Sequence, residues 1–78
     1  MKPFNEIIHV DNEALSFHFN LIHTVFGQKF FITVNKDRRA FVFDMKKGDY
    51  GKWEIVGSAP QWVQQFEEKL DDIITKNI

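Results

Sequence analysis

The sequence predicts an α+β fold: an antiparallel meander sheet of four to five strands with one C-terminal helix packed across one face. Three observations predict it. Successive runs alternate apolar and polar residues with a period of two. Short turn-forming segments separate those runs. Beyond Ser58 the apolar residues recur at three- and four-residue spacing, which is the period of an amphipathic helix.

The elements follow in chain order. Glu6–Val10 marks a first strand over about 5–10, joined through Asp11-Asn12-Glu13-Ala14 to the next. Leu15, Phe17, Phe19 and Leu21 alternate with Ser16, His18 and Asn20, giving a second strand over 15–22. After a turn at 23–27, Phe30, Ile32 and Val34 set a third strand over 28–35. Asn35-Lys36-Asp37-Arg38 supplies the next turn, and Phe41, Phe43 and Met45 the fourth strand over 39–45. The KKGDYG segment leads to a fifth strand over 52–56, carrying Trp53 and Ile55. A single helix is expected over 59–76. Ser58 and Gln61 have the spacing of a capping box, and Pro60 falls in the first turn, where a missing N–H costs little. Val63, Phe66, Leu70, Ile73 and Ile74 form one stripe. At 1.5 Å per residue that helix is roughly 27 Å long, enough to cross a four-stranded sheet diagonally.

Phe30 and Phe31 are neighbours on a strand, so they point to opposite faces. A register that sets Val34 opposite Arg39, Phe30 opposite both Phe19 and Phe43, and Phe43 opposite Trp53 aligns one aromatic row. On the reverse face it places Asp44 between Lys29 and Lys52, where opposite charges stabilise by about 0.2–1 kcal/mol each. The expected core is then Leu15, Phe17, Phe19, Phe30, Ile32, Val34, Phe41, Phe43, Trp53, Ile55, Val63, Phe66, Leu70 and Ile73.

Length and composition bound the rest. Seventy-eight residues make one domain, 1–78, and nine Phe and two Trp supply a dense apolar core for that size. The absence of cysteine excludes disulfides, thiolate zinc sites and cysteine nucleophiles. MKPFNEIIHV has no apolar run long enough for a secretory leader, and the longest such run in the chain, Ala40-Phe41-Val42-Phe43, is far short of a membrane span. A cytoplasmic protein with no membrane contact is expected.

No catalytic pattern is present: no G-x-S-x-G, no phosphate-binding Gly-rich loop, no H-E-x-x-H. His9, His18 and His23 lack the close spacing of metal ligands. The sequence therefore points to a non-enzymatic module without cofactor or metal, whose partner is another protein or a second copy of itself. Three surfaces are candidates for that contact. The open sheet face offers His18, Lys29, Phe31, Val42, Lys52 and Glu54. A basic turn holds Lys36, Arg38 and Arg39, inside a segment, 28–52, with seven Lys or Arg against three Asp. The helix carries an acidic strip, Glu67, Glu68, Asp71 and Asp72, whose i,i+4 like charges cost a few tenths of a kcal/mol each unless relieved.

Single-strand nucleic-acid binding on the open face is the alternative, with Phe31 stacking and Lys29, Lys52, Arg38 and Arg39 contacting phosphates. Lys29–Asp44 as a central hairpin, and Ser58-Ala59-Pro60-Gln61-Trp62-Val63-Gln64-Gln65-Phe66 opening a helix, give an order of four strands and one C-terminal helix. That order resembles the unit of the Whirly, Pur-alpha and positive-coactivator group of single-strand binders. The resemblance covers about residues 15–77 and implies dimers that bind single strands across their sheets. Two features depart from it: a net charge of −1 and a single aromatic on the open face.

Overall fold

A computed structural model of the chain describes residues 2–78. Five strands, β1 (Phe4–Val10), β2 (Glu13–Thr24), β3 (Gly27–Lys36), β4 (Arg39–Lys47) and β5 (Trp53–Val56), form one antiparallel sheet in sequence order. Two helical segments follow, α1 (Gln61–Gln64) and α2 (Glu67–Asn77). The α+β meander with a C-terminal helix is therefore the fold, and residues 4–10, as β1, bring its sheet to five strands.

The expected register is wrong by an even number of residues at the β2–β3, β3–β4 and β4–β5 junctions, and turn length explains why. Lys36 pairs with Arg39, so the β3–β4 turn is only Asp37-Arg38, where a four-residue turn was expected. Both residues have positive φ, 53° and 64°, which fits the two-residue turn whose twist matches that of its strands. Asp11-Asn12 closes β1 and β2 in the same way, with φ of 51° and 66°. Between β2 and β3 the turn is Val25-Phe26. There Gly27 takes φ 118°, and the Thr24 hydroxyl both donates to the Gly27 carbonyl and accepts from the Phe26 N–H. Ile32, not Phe30, thus lies between Phe19 and Phe43. Residues 48–52 form the β4–β5 loop, and Lys47 faces Trp53. Even shifts leave each side chain on its expected face.

That face holds the core. Phe17, Phe19, Phe30, Ile32, Val63 and Leu70 are inaccessible to solvent. Phe41, Ile55, Phe66 and Ile73 are only partly buried, whereas Ile8, Val10, Met45 and Ile74 join the buried set. The longer pairing of β4 draws in Met45, opposite Phe30, and β1 adds Ile8 and Val10. Edge-on aromatic contacts run within the sheet and from it to its cover: Phe30 of β3 meets Trp53 of β5 at 5.0 Å between centroids, and Trp62 of α1 meets Phe41 of β4 at 5.5 Å.

The single helix expected over 59–76 is broken at Gln65–Phe66. Phe66 donates its N–H to the Val63 carbonyl, a tightened i→i+3 bond, before α2 begins. The capping box is not formed either. Pro60 itself is the N-cap, and its carbonyl accepts the N–H groups of Val63 and Gln64 at 2.9 and 3.2 Å. Ser58 lies two residues too early to cap.

Candidate interaction surfaces and sheet edges

Backbone pairing places each expected surface residue. On the face away from the helices, the expected open-face residues His18, Phe31, Val42 and Glu54 fall in three adjacent rows. His18, opposite Asn5, leads through Thr33 to Val42. Asn20, Phe31, Asp44 and Val56 form the next, and Ile22, Lys29, Lys46 and Glu54 the third. Phe31 is half-buried between Asn20 and Asp44, while His18 and Val42 are exposed. Lys29 reaches diagonally to Asp44 at 3.0 Å, so that pair forms even though the two residues are not directly opposite. Lys52 stands in the β4–β5 loop, outside the sheet and away from Asp44 in register.

The basic turn is partly engaged within the chain. Lys36 donates to the Asp37 carboxylate at 2.9 Å, a bond that holds its ammonium above its ordinary pKa. The same ammonium lies 5.8 Å from the centre of the Trp62 ring, and Arg39 lies 5.6 Å from that of Phe41. Arg38 at the tip is exposed. His9 and His18 share the outer face, but His18 pairs with Asn5, four positions or roughly 13 Å along β1 from His9. No group of three metal-ligating side chains occurs among the described residues.

The acidic strip divides in two. Glu68 and Asp72 are exposed. Glu67 and Asp71 are half-buried and point at β5, where the Asp71 carboxylate accepts the Trp53 N–H at 2.8 Å and Glu67 accepts the Ile55 N–H at 2.9 Å. Residues four apart share one side of a helix, and alternate residues of a strand turn their N–H groups the same way, so the two spacings match. Bonds to an ionised acceptor are about twice as strong as neutral ones. The like-charge pair is thus relieved by two backbone donors, and the free edge of β5 is covered.

The opposite edge is different. A two-residue turn is closed by a hydrogen-bonded pair, here Val10 and Glu13. Phe4, Glu6, Ile8 and Val10 therefore bond to β2, while Asn5, Ile7 and His9 turn their N–H and C=O groups outward. No side chain among the described residues is hydrogen-bonded to that edge. Ile7 is 64% exposed. Beside β1 on the helix side runs an open groove of about 680 Å³, bounded by Glu6 and by a flank of α2 that includes Lys69, Asp72 and Ile73. Sequence reasoning did not single out this edge. Its one trace is Ile7-Ile8, an adjacent apolar pair of the same kind as Phe30-Phe31, which puts an apolar side chain outside.

No family model matches the chain, and neither does any curated protein or solved structure.

Proposed function

We propose that this chain is a non-enzymatic interaction module that acts by adding a strand to the open edge of its sheet. The observation that carries the reading is the asymmetry of the two edges. Unpaired strand edges template further pairing and are ordinarily blunted by charge, proline or cover. Here the β5 edge is blunted by Glu67 and Asp71, whereas β1 presents Asn5, Ile7 and His9 with neither charge nor proline among them. Strand addition draws affinity from main-chain bonds and specificity from alternate side chains. The open face supports single-strand binding less well, because Lys29 is already paired with Asp44 and Phe31 is half-buried.

Light-scattering mass across a wide dilution series, with and without a mixed single-stranded oligonucleotide, tests the reading. Self-association that weakens on dilution and ignores both oligonucleotide and salt is the expected result. A monomer that co-elutes with the oligonucleotide and releases it in salt would move the function to the sheet face.

A further inference from the structure

The reading above expects self-association but names neither the strand of the second copy that fills the β1 edge nor its register, and the sequence of β1 points to both. We infer that the edge is filled by the β1 strand of a second copy, paired antiparallel about Ile7 to make one continuous ten-stranded sheet. This inference rests on the edge-addition reading and goes further, to partner and register.

Only a register centred on Ile7 pairs all of Phe4–Val10 with itself. It sets Ile7 against Ile7 of the second copy, Asn5 against His9, and Phe4 against Val10. The outward-facing residues, Asn5, Ile7 and His9, then meet only one another, each pair exchanging N–H and C=O bonds. Side-chain chemistry agrees. On the outer face an amide meets an imidazole and an exposed isoleucine meets its equivalent; on the helix face Phe4 meets Val10, and Glu6, which borders the groove, meets Ile8. Sliding by one residue in each strand to centre on Glu6 sets two carboxylates opposite each other, which is unfavourable. Centring on Ile8 pushes Asn5 against Asp11, which belongs to the positive-φ turn.

The twofold axis of such a pair runs normal to the sheet, so both helices lie on one side. The groove beside β1 lies on that side too, adjoining the joint, so the second copy also narrows it. Its lining sets Lys69 and Lys76 against Glu6, Glu68 and Asp72, so closing it opposes an excess of only one acid per copy. A chain net charge of −1 raises little general repulsion between copies.

The absence of cysteine makes cross-linking a clean test. Ile7→Cys, Asn5→Cys and His9→Cys each place a thiol on the outer face away from the core, and an added oxidant takes two electrons and two protons from a thiol pair. Opposed residues on paired strands lie within disulfide reach. Ile7→Cys should cross-link with itself. Asn5→Cys and His9→Cys should each stay uncross-linked alone and join when mixed, with dispersed amide spectra confirming the fold of each variant. Should the wild type dimerise while Asn5→Cys or His9→Cys links to itself in preference to Ile7→Cys, the register is overturned and edge addition stands. Cross-links that form only when Ile7→Cys is mixed with Asn5→Cys or with His9→Cys would overturn the register and keep the edge. Dimerisation with no cross-link in any single or mixed sample would place the contact elsewhere. A wild type that is monomeric at every concentration overturns the second copy as occupant, and in that case uptake of a synthetic peptide of residues 2–12 would still distinguish an edge able to pair from one that is not.

Discussion

Glu67 and Asp71 show how much one carboxylate can do when it faces a strand edge. Each accepts an N–H that would otherwise have only solvent, and the Trp53 amide belongs to a residue that is 4% exposed. Removing the acceptor leaves that donor without its protein partner, which costs about 1.5–3 kcal/mol for a bond to a charged group. Asp71→Ala should lose that much in denaturant unfolding, whereas Asp72→Ala, one residue along and exposed, should stay within about 0.5 kcal/mol of wild type. The two sheet faces separate in the same way. Phe43, 3% exposed, should cost about 3–5 kcal/mol as Phe43→Ala. Phe31→Ala on the half-buried outer face should cost clearly less, and equal losses would mean that the faces are misassigned. The alternation of Leu15, Phe17 and Phe19 made the core face legible from sequence alone. The role of Glu67 and Asp71 was not legible, because a carboxylate bonded to a backbone N–H distant in sequence leaves no local pattern.

At the scale of elements, strand existence was readable and strand register was not. Period-two alternation survives any even slip, so it identifies faces while saying nothing of which residues lie opposite. Register here depends on the turns, and their residues disguise their length. Arg38 occupies a left-handed position, φ 64°, that ordinarily selects Gly or Asn, so Asn35–Arg38 reads as a four-residue turn when only Asp37 and Arg38 turn the chain. Non-glycine residues in that conformation cost about 1–2 kcal/mol. Arg38→Gly should therefore stabilise the domain by about 1 kcal/mol, raising Tm by about 4–8 °C in thermal unfolding. An unchanged Tm would mean that the turn carries no strain. Gly27→Ala should do the opposite and lose more than about 1 kcal/mol, since φ 118° is closed to a side chain. The break at Phe66 has the same lesson for the helix. Spacing of Val63, Phe66 and Leu70 shows an apolar stripe, but an i→i+3 bond that interrupts it leaves the stripe nearly intact.

Taken whole, the molecule is a sheet with one edge closed by its own helix and one edge open. A domain of this size gains from burying further surface, and a second copy that binds only the folded state raises apparent stability by mass action. Tm should therefore rise with protein concentration in the wild type. Ile7→Pro removes an outward N–H that makes no bond to β2, and proline is tolerated at that kind of edge position. In that variant Tm should become independent of concentration. If the dependence survives in Ile7→Pro, self-association uses another surface, such as the exposed Val25-Phe26 turn.

The most direct measurement of the edge asymmetry is residue-resolved amide hydrogen exchange in dilute and concentrated samples. Trp53 and Ile55 should be protected at every concentration, held by Asp71 and Glu67. Asn5, Ile7 and His9 should exchange freely when dilute and become protected together when concentrated. Protection of Asn5, Ile7 and His9 equal to that of Trp53 in the dilute monomer, or exchange at Trp53 and Ile55 as fast as theirs, would contradict the account.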